Sequence, residues 1–158
     1  MAKTTIDELV DRCGEKGVTP VDADASDQWH RRLHHVPSAH VSASTSQSSG
    51  MRRFEAISGA KTGSEKIWMG EAHVDPATCS APHHHGESET AIYVLRGNPA
   101  FVFLEGDEEI RIEANPGDYV FVPPYVAHRE ENPSADLEAV VVLARSTQEA
   151  IVVNLPGL

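Results

Sequence analysis

From Met51 onward, glycine and proline cut the chain into segments too short for helices. Met51 to Ser58, Lys66 to Val74, Thr90 to Leu95, Ala100 to Leu104, Glu109 to Glu113, Tyr119 to Val122, His128 to Glu131, Glu138 to Ala144 and Ala150 to Asn154 carry alternating or β-branched apolar residues. That is the pattern of strands with a buried face. Between them stand Gly59 to Gly63, Gly97-Asn98-Pro99, Glu105-Gly106-Asp107, Asn115-Pro116-Gly117, Pro123-Pro124 and Asn132-Pro133-Ser134, which supply the backbone angles of turns. Neither an internal repeat nor a helical crossover interrupts the series, so an all-β sandwich or barrel is expected rather than a parallel sheet. On this pattern alone, immunoglobulin-like and jelly-roll arrangements are equally acceptable.

The preceding part reads differently. Residues 4–16 are expected to form a short helix, with Thr5 as N-cap and Glu8 three positions later; Ile6, Leu9 and Val10 share a face, and Gly14 and Gly17 stop it. Pro37 to Gly50 is serine-rich and is either a flexible connector or an extended strap. The 158 residues suffice for one domain with its own core. The expected division is an N-terminal helix and extended arm over residues 1–50 and a β-barrel over residues 51–158.

Charge narrows the partners. Thirteen basic against twenty-four acidic residues leave a formal charge of −11, and such a surface repels phosphate backbones and anionic lipid, so neither nucleic acid nor membrane is an expected partner. The acidic run Glu105 to Glu113 reads as a solvated hairpin. Two cysteines, Cys13 and Cys79, cannot build a disulfide framework. Met1 to Asp7 lacks the apolar core of a signal peptide, and no run is long enough to span a bilayer, so a cytoplasmic protein is expected.

Chemistry concentrates at Pro82-His83-His84-His85-Gly86-Glu87-Ser88-Glu89. In an extended chain His83 and His85 project to one side and His84 to the other. Two imidazoles about 6 to 7 Å apart along a strand can reach one cation, and Glu89 can return to the same face with a carboxylate. Taken alone, the tract is equally well an exposed polar turn. A second stretch, Gly117-Asp118-Tyr119-Val120-Phe121-Val122-Pro123-Pro124-Tyr125-Val126-Ala127-His128, brings another histidine after a strand and a proline-marked turn.

Together the two stretches resemble the paired motifs of the cupin superfamily, G-x5-H-x-H-x3/4-E-x6-G and G-x5-P-x-G-x2-H-x3-N. His83, His85 and Glu89 match the first; Gly117, Pro123, His128 and Asn132 match the second. Ala77 stands where the first motif opens on glycine, and Tyr125 replaces the glycine of the second turn. Seven residues instead of six separate Glu89 from Gly97. A one-residue slip reverses the faces of a strand, so either a bulge absorbs it or Glu89 is not the carboxylate ligand.

The resemblance implies a jelly-roll cupin barrel holding one divalent transition metal ion (Fe, Mn, Zn or Ni) on His83, His85, Glu89 and His128. It implies a metal-dependent enzyme acting on a small organic molecule, in the first instance a non-haem Fe(II) dioxygenase. The alternatives are a redox-neutral Zn or Mn lyase, isomerase or polyketide-type cyclase, and a non-catalytic small-molecule-binding cupin. Because ligands bind unprotonated, metal affinity is expected to fall below the histidine range of pH. Edge strands need cover, so a homodimer is expected, with the apolar Glu138 to Asn154 as its pairing segment.

Other residues carry weaker claims. His73 and Tyr125 are candidate catalytic groups, His73 as an acid, base or support to a ligand and Tyr125 as a pocket residue. Tyr93 and Tyr119 read more simply as packing, and Asn132 as a turn cap. Arg53 and Glu55 share a strand face, expected to be outward and salt-bridged. Trp29 to His35 reads as a polar surface segment, since no carboxylate or cysteine stands at ligand spacing.

Overall fold

The computed structural model describes residues 33–148 and 150–158. The helix expected over residues 4–16, Cys13 and the stretch from Trp29 to Arg32 lie outside them. Strand β1 (Met51–Ile57) is followed by a one-turn helix, α1 (Gly59–Thr62), then β2 (Trp68–Val74), β3 (Thr78–Cys79), β4 (His83–His84) and β5 (Thr90–Arg96). The chain continues through β6 (Ala100–Glu105), β7 (Glu108–Glu113), β8 (Tyr119–Val122), β9 (His128–Asn132), β10 (Ala139–Arg145) and β11 (Val153–Asn154). The long strands fall where alternation placed them. Helix α1 was expected as a plain turn; Ser58 caps it by accepting the Lys61 N–H at 3.3 Å, and Gly63 at φ 67° ends it.

Every pairing is antiparallel. One sheet runs β1-β2-β10-β5-β8 and the other β11-β4-β9-β6-β7, with β3 attached to β9. Non-sequential neighbours in both sheets give the jelly-roll character that alternation alone left open. The inward faces supply Trp68, Ala72, Val74, Ile92, Val94, Phe101, Val141 and Leu143, all 3 % exposed or less. Trp68 needs a glycine beside it: a Cβ at Gly70 would stand 2.8 Å from its ring and 2.1 Å from the Phe54 carbonyl. Gly97 turns β5 into β6 at φ 75°, where a Cβ would lie 2.7 Å from the Ala139 Cα.

The serine-rich segment before β1 is a strap. Ser42 bridges to Glu55 through two backbone hydrogen bonds of 2.9 and 2.7 Å, and the Gln47 side chain clamps the Arg53 N–H and carbonyl at 2.7 and 3.0 Å. The open edge of β1 is thereby covered, as an edge strand requires. Within the segment Glu138 to Asn154, β10 lies between β2 and β5 and has no free edge, whereas the two-residue β11 ends the second sheet. Edge pairing between two copies would have β7, β8 or β11 to use, and Tyr119 and Phe121 on β8 are exposed. The acidic run Glu105 to Glu113 is solvated as expected, with only Ile110 half-buried. No helix among the described residues is long and apolar enough to cross a membrane.

Candidate metal centre

Strand β4 pairs with β9 so that His83 lies directly opposite His128. Alternation then turns His83 and His85 inward and His84 outward. His83, His85 and His128 are 0 %, 2 % and 3 % exposed, while His84 is half-buried and its Nδ1 accepts the Gly86 N–H at 3.0 Å. The three buried rings form a triangle with centroids 5.1, 4.6 and 4.9 Å apart. One nitrogen from each lies within 4.8 Å of the others, as a shared cation requires.

The opposite nitrogens are anchored. Each Nδ1 faces a backbone carbonyl: His83 that of Ala81 at 2.8 Å, His85 that of Ile151 at 3.2 Å, and His128 that of Val126 at 3.0 Å. A carbonyl only accepts, so each Nδ1 carries the proton and each Nε2 keeps its lone pair for the centre. The buried His128 Nε2 has no partner. Three neutral imidazoles with this second set of contacts fit a divalent transition metal. Burial, then the neighbouring His128, holds His83 down to about 3. Burial and then Arg145 push His85 down, and burial pushes His128 down. Proton competition with a metal is thus moved well below the range expected for free histidine.

Glu89 does not join the cluster. It is exposed, and its backbone bonds Ser146, with the Glu89 N–H donating to Ser146 Oγ at 3.0 Å. The register explains why: Thr90, Ile92 and Val94 are the inward residues of β5. Thr90 therefore occupies the inward place six residues before Gly97 that the motif gives to its carboxylate. The register of β5 against β10 does shift at Leu95, between the pairings of Val94 and Arg96, but the shift leaves Thr90 inward and Glu89 exposed. Thr90 is fully buried and its Oγ1 has no partner.

Three further buried groups face the same interior. Arg53 on β1, Arg145 at the end of β10 and Glu130 on β9 are 1 %, 2 % and 3 % exposed. The outward, salt-bridged Arg53 expected from its strand is thus inverted. Its Nη2 lies 3.4 Å from His83 Nε2 and its Nη1 donates to Ser48 Oγ at 2.8 Å. Glu55 accepts from Trp68 Nε1 at 3.0 Å rather than from a cation. Arg145 sits 5.3 Å over the Trp68 ring, and its Nη1 donates to the Ile151 carbonyl at 3.2 Å. Burial, then Arg53, pushes Arg145 down to about 9, still a cation at neutral pH. Alternation from His128 signals Glu130 as inward, and alternation along β10 signals Arg145.

The two candidate catalytic residues stand elsewhere. His73 is on the outer face of β2, 3.2 Å from Glu71 and 3.2 Å from Glu138, with its ring against Phe54 at 4.9 Å. Tyr125 is 66 % exposed, with its ring 6.0 Å from that of His84. Its backbone matters more than its ring: φ is 63° and the N–H donates to the Gly86 carbonyl at 2.8 Å. Tyr93 and Tyr119 stack on each other at 5.0 Å on the outer face. Asn132 is the turn cap expected, donating to the carbonyls of Val74 and Leu137 at 3.0 and 2.7 Å. A cavity of about 370 Å³ reaches His128 and is otherwise lined mainly by apolar side chains of β6, β7 and β8, with Phe101, Phe103 and Val120 among them.

A jelly-roll barrel enclosing three convergent imidazoles defines a metal-binding cupin. Residues 70–144 match the cupin domain family and carry the cupin assignment. No curated protein matches the sequence. Among solved structures, the polyketide cyclase RemF from Streptomyces resistomycificus is similar with a TM-score of 0.64 at 22% identity, over 78% of this chain and 86% of that one. Oxalate oxidase in complex with glycolate gives 0.61 at 20% identity, over 73% and 60%. Oxalate decarboxylase from Bacillus subtilis gives 0.60 at 20% identity, over 69% and 28%. The chain thus spans less than two thirds of the oxalate oxidase and oxalate decarboxylase chains it resembles.

Proposed function

We propose that this protein is a metal-dependent enzyme acting on a small organic molecule with an apolar body, by redox-neutral lyase, isomerase or cyclase chemistry. The observation that carries this reading is three buried, Nδ1-anchored imidazoles, of which His128 lines an apolar cavity, with no carboxylate in the inward place before Gly97. A divalent metal held by His83, His85 and His128 would supply Lewis acidity toward a substrate oxygen. The chain's own residues favour that use over oxygen activation. The imidazoles add no negative charge, Thr90 adds none, and two guanidiniums lie close by, so little nearby stabilises a higher oxidation state. The cavity beside His128, with Phe101 and Phe103 in its wall, offers apolar surface that would position an apolar body. The RemF likeness, which covers most of both chains, supports a cyclase-type reaction.

The non-haem Fe(II) dioxygenase stands as the second reading, because three ligands leave three positions of a six-coordinate ion for substrate and oxygen. Protein loaded with Zn, Mn or Fe(II) and assayed against keto acids and aromatic ketides, under argon and under air, separates the two. Product of unchanged mass, or of mass reduced by water or carbon dioxide, is expected under argon. Products that need air and carry added oxygen would overturn the redox-neutral reading.

A further inference from the structure

We propose that the barrel interior beside the three histidines is an anion site, that Arg53 and Arg145 are its recognition groups, and that the substrate carries a carboxylate. Neither arginine has a counter-ion within ion-pair distance among the described residues. Arg53 Nε, Arg145 Nε and Arg145 Nη2 are buried donors without partners. Glu130 is the one buried carboxylate among the described residues, and its Oε2 is also unpartnered. Two guanidiniums and one carboxylate leave an uncompensated positive charge before any metal is added. A buried charge without a partner is costly, so a fold retains such a pair of cations where a ligand completes them.

The register shows why Arg145 lacks an acidic partner. Arg145 is the direct pairing partner of Thr90, both inward. A carboxylate at position 90 would stand beside the Arg145 guanidinium and neutralise it; threonine leaves it free. The guanidinium lies over Trp68 at 5.3 Å from the ring centroid and is tethered through Nη1 to the Ile151 carbonyl, which leaves Nε and Nη2 as a donor edge suited to a carboxylate fork. Arg53 touches His83, which lies 4.6 Å from His128 by ring centroids, and the apolar cavity ends at His128. An apolar body in that cavity would present a carboxylate to the arginines and a second oxygen to the histidine centre. This deepens the proposed function and relies on it only for where the reacting end lies; the charge preference needs no metal.

The test is calorimetric titration of the full chain, stripped of metal and again with one equivalent of Zn(II), using acetate and benzoate against acetamide and benzamide. The carboxylates should bind about tenfold or more tighter than their amides, the equivalent of one charge-assisted hydrogen bond. Arg145→Met and Arg53→Gln should each erase most of that preference, Arg145→Lys should keep part of it, and Arg52→Met on the outer face should keep it all. Thermal melts of each variant identify any that fail to fold, and the remaining inner variant then carries the test. Equal affinity for acid and amide, binding of neither, or a preference that survives both inner variants would overturn the proposal. Zinc binding without carboxylate preference would sink the anion site alone. Carboxylate preference without zinc binding would sink the metal reading alone.

Discussion

Arg52 and Arg53 are neighbours in sequence and opposites in environment. Arg52 points outward from β1 and meets Asp75 at 2.8 Å and Glu138 at 2.7 Å. Arg53 points inward and meets Ser48 and His83, with no carboxylate at ion-pair distance. The same division holds across the barrel. Outside, Arg96 pairs with Glu138, Arg111 with Glu131, and Arg129 with Glu109 and Glu131. Inside, Arg53 and Arg145 go unanswered. Water screens the outer pairs, which contribute little each. The inner charges are unscreened and therefore costly. Charge on this barrel is matched on the outer face and left open beside the three histidines, where the proposed anion site would use it.

Several substitutions would break or sharpen that contrast. The largest effect belongs to the inner histidines: His128→Ala should lower metal affinity by about 100-fold or more, since even the partners of ligands cost 10 to 100-fold, as read by competition with a chelator. Next comes pH. His83 stands at about 3 when folded against 6.5 when unfolded. Above pH 6.5 both states are neutral. Below it the unfolded chain takes a proton that the folded chain refuses, so metal-free protein loses about 1.4 kcal/mol per pH unit for each such histidine. On the outer face the Arg129 fork holds Glu109 below its ordinary 4.5, so that contribution is full above 4.5 and is lost as pH falls lower. Urea melts between pH 7 and 5 should therefore already weaken in the wild type, and His83→Ala should remove its own share of that slope, leaving those of His85 and His128, while Arg129→Met leaves it in place.

Arg145→Met removes the excess inner cation, with Arg53 remaining near Glu130. Its thermal melt should show stability raised by about 1 kcal/mol or more, whereas Arg52→Met should lower it by no more than about 1 kcal/mol. The smallest effect is expected at His73. His73→Ala should leave metal binding unchanged and cost under about 1 kcal/mol; a loss of metal with His73 would return that residue to the centre.

Much of this was legible in the residues. Alternation located the long strands, because one buried face with period two is a strong signal. It also separated His83 and His85 from His84. The two departures from motif glycine were visible as Ala77 and Tyr125, yet the backbone keeps the glycine conformation at both, with φ 50° and 63°. The turn is conserved in shape while the residue changes, at a strain of about 1 to 2 kcal/mol each. Glu89 was doubtful on its spacing, and only the pairing of β5 with β10 and β8 decides that Thr90 faces in. Arg53 was misread because alternation says which residues share a face and not which face is inside; polarity suggested the wrong one. Glu130 and Arg145 escaped notice because a charged residue in a strand reads as solvated until its neighbours are known.

Metal analysis of protein purified without chelator, joined to pulsed electron paramagnetic resonance of the manganese- or copper-loaded form, addresses the central claim most directly. The account predicts one ion per chain, coupled to three imidazoles from His83, His85 and His128, with no change on Glu89→Ala. Metal that stays bound when all three histidines are replaced, or that leaves with Glu89, would contradict it.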